Sequence, residues 1–277
     1  MKGQKKGFTI EEDRLLVRAQ EIIEKSGTLP DAPVLCDVNG DRLVGVIGER
    51  KSAIWLVKNM ILQAVTHHSY EELKLVTVYS KREAAQWDWV RWLPHSFDEM
   101  RENRFVSSSK SAADALLREL EGVLKQRSME HREDTVFSPY YLFVFTEMEM
   151  AQGQAIMNYL LSEGNNGAGA VFLYDHIHQL PKECNTILEV EAGQGVLFHK
   201  QNANIKRKFQ IDFFGEKLYE EFARIMAPIR IEGSGAQALL PSCVTFMEVY
   251  GVRTPKDFRL ARMWKSVRTN ESMAVPN

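Results

Sequence analysis

The sequence has no run of about eighteen apolar residues, the length a membrane-spanning helix needs. No signal peptide opens it, so the expectation is a soluble chain. It has little cysteine: Cys36, Cys184 and Cys243 stand far apart, with no C-x-x-C among them. That excludes a disulfide framework and a recognised zinc spacing, and it points to a reducing compartment. It has no basic excess. The net charge is −2, which argues against a dedicated nucleic-acid surface. Internal repeats and low-complexity tracts are also missing. What remains is ordinary globular composition over 277 residues, enough for one large domain with small appendages.

Strand and helix patterns alternate from about residue 34 to 232, which predicts an α/β domain with a largely parallel sheet. Three segments follow: an N-terminal helix and linker over 1–32, the main domain over 33–232, and linker helices over 233–277. Val34 to Asp37 reads as a short strand, and Leu43 to Ile47 as the next one. Leu73 to Tyr79, Tyr140 to Phe145, Ala168 to Tyr174 and Thr186 to Val190 are further strands, and Arg104 to Val106 is a short strand candidate. The run Tyr140 to Phe145 is apolar on both faces, as a central strand of a parallel sheet should be. Gly195 to His199 and Phe209 to Phe213 are expected to pair as a hairpin. Helices are expected from Ser111, over Gln152 to Leu161, and over Glu216 to Met226.

The stretch that carries chemistry is residues 45–52, G-V-I-G-E-R-K-S. Against the phosphate-loop pattern G-x-x-x-x-G-K-[S/T], Gly45, Lys51 and Ser52 match and Arg50 replaces the second glycine. In a working loop, backbone N–H groups surround the phosphates, the lysine bridges them and the hydroxyl holds Mg²⁺. A glycine before the lysine leaves room for the phosphate. Arg50 removes that room, and Glu49 adds charge of the wrong sign. Gly48 completes the stretch.

The second nucleotide element would be an apolar strand ending in Asp, then Glu. In Y-Y-L-F-V-F-T-E, Thr146 stands where the aspartate belongs and Glu147 follows as a vestigial base. Two losses at independent positions point to a degenerate site. The alternative is that neither stretch is a nucleotide motif and both are core strands. His176 and His178 alternate in what reads as a loop, a poor metal site. Trp87, Trp89 and Trp92 could stack bases or line a peptide groove, but a plug over the sheet edge is the plainer reading.

Several segments resemble the cytoplasmic region of the EssC/EccC ATPases of type VII secretion systems, members of the FtsK/SpoIIIE superfamily. They are L-V-G-V-I-G-E-R, T-H-H-S-Y-E-E-L-K-L-V at 66–76, and W-D-W-V-R-W-L-P-H at 87–95. L-P-S-C-V-T-F-M-E-V-Y-G-V at 240–252 and S-M-A-V-P-N at 272–277 extend the likeness. It implies a RecA-like P-loop three-layer sandwich with helices on both faces of the sheet. It also implies the membrane-proximal, degenerate ATPase-like domain of a secretion motor, in the Firmicute EssC form.

On that resemblance the cofactor expectation is none, with weak ATP and Mg²⁺ binding as the alternative. A DNA translocase of the FtsK/SpoIIIE type is a further alternative. The partners implied are downstream ATPase domains and other parts of the machine, with a hexamer of the full protein and no nucleic acid. The place implied is the cytoplasmic side of the cell membrane, reached only through the full-length protein.

Overall fold

The structure, a computed structural model, describes residues 32–130 and 135–231, together with residues 18 and 20–23. Residues 18 and 20–23 are helical. The rest of the expected N-terminal helix, the linker helices of 233–277 and Cys243 lie outside the described residues. The chain divides into two units, Met1–Ala227 and Pro228–Asn277. In the second, residues 228–231 are described and have no regular secondary structure.

The first unit is built on one eight-stranded sheet. Its strands are β1 (Leu43–Gly48), β2 (Leu73–Val78), β3 (Val106–Ser107), β4 (Tyr140–Phe145), β5 (Ala168–Leu173), β6 (Thr186–Glu191), β7 (Gln194–His199) and β8 (Arg207–Gln210). The order across the sheet is β3-β2-β4-β5-β1-β6-β7-β8. All pairs are parallel up to β6, and β6-β7-β8 closes the sheet as an antiparallel meander. The expected α/β arrangement with a mostly parallel sheet is therefore present. One strand, β5, lies between β1 and the Thr146 strand β4.

Three long helices matter here: α1 (Arg50–His67), α2 (Lys110–Glu130) and α3 (Glu216–Met226). Alternate residues of each central strand point to opposite faces. Phe143, Phe145 and Phe172 pack with Leu117, Leu120 and Leu124 of α2 on one face. Val44, Val46, Val144 and Val171 pack with Val57 and Ile61 of α1 and Tyr219 of α3 on the other. Because helices cover both faces, the central strands β1, β4 and β5 are apolar throughout rather than alternating.

Four local expectations change. Val34 to Asp37 is not a strand; Asp37 instead caps a one-turn helix, Val38–Asp41, accepting from the Asn39 and Gly40 N–H groups. The strand expected around Arg104–Val106 is displaced to Val106–Ser107. The helix expected over Gln152–Leu161 is two single turns, Met148–Ala151 and Met157–Leu160, separated by Gly153 at φ +79°. A left-handed residue cannot continue a right-handed helix. The expected hairpin partner of β7 is β8, starting at Arg207, while β7 pairs with β6 on its other side through a tight turn at Ala192 and Gly193.

Candidate functional site

The structure does not place residues 45–52 in a loop. Gly45 lies inside β1, opposite Phe172 of β5 and Ile187 of β6. A side chain there would meet Leu180 Cδ1 at 2.4 Å, so the glycine makes room for a core leucine rather than for phosphate. β1 continues to Gly48, opposite Val190. Gly48 has φ +111°, and a Cβ on it would stand 2.1 Å from the Val190 carbonyl oxygen. Only glycine fits this turn. The Glu49 N–H donates to that same carbonyl at 2.8 Å, and Arg50 opens α1. One residue links strand to helix. Sheet pairing thus engages the backbone of residues 45–48.

The charged residues close what space is left. Glu49 Oε2 accepts from Ser52 Oγ at 2.6 Å and from the Ala192 N–H at 2.8 Å. Ser52 Oγ in turn accepts from the Gly193 N–H at 3.1 Å. The Ser52 hydroxyl first, then the Ala192 N–H, hold the Glu49 carboxyl below its ordinary pKa. The turn between β6 and β7 is thereby tied to the start of α1, and the Ser52 oxygen is committed within the protein.

Arg50 reaches across the carboxyl ends of the neighbouring strands. Its guanidinium donates to Glu83 Oε1 and Oε2 at 2.6 and 2.8 Å. It also donates to the Leu173 carbonyl, ending β5, at 3.0 Å and to the Thr146 carbonyl, beyond β4, at 2.8 Å. Asp175 Oδ1 is 3.8 Å away. Glu83 is held from behind by Trp87 Nε1 at 3.2 Å. A planar fork of five donors suits this set of fixed oxygens, where a lysine would reach only part of it.

The other expected site residues do not join the cluster as ligands. Lys51 is exposed on α1, with Nζ 5.0 Å from the Trp55 ring centroid. Thr146 is buried, its Oγ1 without a partner, and it contributes its carbonyl instead. Glu147 is half-buried ahead of the turn Met148–Ala151; its carbonyl accepts from the Met150 N–H at 3.3 Å, and its side chain makes no hydrogen bond or ion pair among the described residues. So the residues present do not form a phosphate cradle or a Mg²⁺ shell. The His176 and His178 rings stack at 5.3 Å around a short turn, and no group of three or more metal-ligating side chains occurs among the described residues.

Trp87 and Trp89 are buried, as the plug reading expects, while Trp92 is 43% exposed. Sequence reasoning missed Glu83 and the Ala192–Gly193 turn. Glu83 carried one signal: it stands four residues before a buried tryptophan, the spacing at which helical side chains meet. Among the described residues no helix is long and apolar enough to cross a membrane.

No protein-family model matches the chain. It is 26% identical over 272 residues to the ESX secretion system protein EccC of Geobacillus thermodenitrificans, an alignment covering 95% of this chain and 18% of that protein. It is 26% identical over 281 aligned positions to the type VII secretion system protein EssC of Staphylococcus aureus, covering 99% of this chain and 19% of that protein. The chain thus spans less than a fifth of the curated relatives it matches. The solved cytoplasmic domain of the Thermomonospora curvata type VII secretion ATPase EccC aligns with a TM-score of 0.48 at 16% identity, over 66% of this chain and 25% of that one, too distant to carry an argument. Along nearly its whole length, the chain is similar to the EccC and EssC proteins of type VII secretion systems.

Proposed function

We propose that this chain is a non-catalytic, ATPase-like module of an EccC/EssC-type secretion motor, coupling the motor's membrane part to its downstream ATPase domains during protein export. The observation that carries the reading is the Arg50 guanidinium bound to Glu83, Leu173 and Thr146 beside a β1 strand that is paired up to Gly48. An ion pair internal to the protein replaces the exchangeable ligand of a working motor domain. The module is then a fixed coupling body, and its state does not follow nucleotide. Its partners are the downstream ATPase domains and other components of the machine, in a hexamer of the full protein on the cytoplasmic side of the membrane. Weak ATP binding has no observation in its favour, since Lys51 lies against Trp55 and Ser52 is bound to Glu49 and Gly193.

The test is export by the full-length protein. Lys51→Ala leaves export of the motor's substrates unchanged, whereas Arg50→Glu, which sets two carboxylates against each other, reduces it. Loss of export in Lys51→Ala with the fold intact contradicts the proposal.

A further inference from the structure

Helix α3 carries two apolar faces. Tyr219 and Ala223, four residues apart, are buried in the core beneath it. Leu218 and Ile225, seven residues apart, share another face, and that one is open to water: Leu218 is 39% exposed and Ile225 70%. Phe214, just ahead of the helix, and Phe213, edge-on to Trp55 at 4.2 Å, are exposed as well. Exposed apolar side chains grouped in this way mark an interaction surface.

The chain has a second helix whose apolar side chains are open to water. Residues 18 and 20–23 are helical and all exposed, Ile22 at 57% and Ile23 at 67%. In the sequence, Leu15, Leu16 and Ala19 continue the same helical spacing toward the N-terminus. The charges set beside the two stripes are opposite in sign. Arg18 stands four residues before Ile22, and Glu221 stands four residues before Ile225 and three after Leu218. Both are exposed, and neither makes an ion pair among the described residues. Glu21 and Lys217, about one turn from them on the same helices, are not paired with them, and Glu220 is taken by Arg224 at 2.6 Å.

Every described residue of the N-terminal helix is exposed, so its own copy does not cover it. We propose that this helix docks on α3 of a second copy of the chain, Ile22 and Ile23 lying against Leu218 and Ile225 and Arg18 beside Glu221. The contact joins two unlike patches of one chain, so it can run head to tail around a ring. It goes beyond the function proposed above: neither the Arg50 cluster nor nucleotide enters it, and its test does not read export.

The experiment follows self-association of the full chain by sedimentation over a concentration series, with far-UV spectra as the check on folding. The parent is expected to associate. Arg18→Glu and Glu221→Arg, each alone, weaken association about fivefold, because like charges then meet. An equal mixture of the two variants recovers it, since each supplies the charge that the other lacks. Ile225→Asp, at an exposed position, weakens it about tenfold with the spectrum unchanged. A parent that stays monomeric overturns the proposal. So does association unchanged in either charge variant, or recovery in a chain carrying both substitutions but not in the mixture, which would put the helix on its own copy.

Discussion

Arg50 and Glu83, 33 residues apart in the chain, meet in a bidentate ion pair of 2.6 and 2.8 Å. Their side chains are 30% and 17% exposed, so the pair is largely withdrawn from water. Removing one partner strands the other. Arg50→Gly, which restores the phosphate-loop letter, is predicted to cost about 2–3 kcal/mol in urea unfolding and to add no nucleotide affinity. Arg50→Lys does not rescue it, because one ammonium cannot serve Glu83 and two strand-end carbonyls together.

Gly45, the matched glycine of the pattern, and Gly48, which the pattern does not specify, are predicted to differ in the cost of an added methyl group. Gly48→Ala costs about 3 kcal/mol, since φ is +111° and the new Cβ meets backbone at Val190. Gly45→Ala meets the flexible end of Leu180 and costs about 1–2 kcal/mol. Thermal unfolding of both variants checks the order. A harmless Gly48→Ala would mean that the strand does not run on as described.

Trp87 links the buried aromatic block to the ion pair through its N–H bond to Glu83. Trp87→Phe keeps most of the ring volume and loses that bond, for a predicted cost of about 1–2 kcal/mol. A double-mutant cycle with Arg50→Gly should show coupling, because both residues act on Glu83. Strict additivity would contradict the shared role.

His95 is 1% exposed, bonded at 2.8 Å to the His68 carbonyl, with Nδ1 unpartnered. Burial pushes its pKa down to about 4; the His68 carbonyl opposes this, and nearby Lys74 and His68 add to it. Between the unfolded value of about 6.5 and the folded one, the unfolded chain binds the extra proton. This contribution to stability is thus whole above the unfolded pKa and falls as pH drops toward 4, by up to roughly 3 kcal/mol. Urea midpoints at neutral and mildly acidic pH measure it, and His95→Gln should flatten the slope.

Much of the frame was legible in the sequence because it rests on periodicity. The runs at Tyr140–Phe145 and Glu216–Met226 have the expected bounds, since strand and helix patterns there are uninterrupted. The pairing of residues 45–48 was less legible, because a short motif specifies letters and not strand partners. Gly45 matched the first glycine, yet its role is set by Leu180, distant in sequence. The pairing of Glu83 with Arg50 was not legible for the same reason: it depends on strand order, which no local pattern encodes. Arg50 itself was legible as an obstruction, though not as the centre of a network joining β4, β5 and the Glu83 turn.

The most direct test of the central claim is isothermal titration of the full chain with ATP and Mg²⁺, in the parent and in Arg50→Gly. The account predicts no saturable heat in either, because the paired strand to Gly48 and the Glu49–Ser52 contact leave no cradle. Saturable binding in the parent that Lys51→Ala abolishes would contradict it.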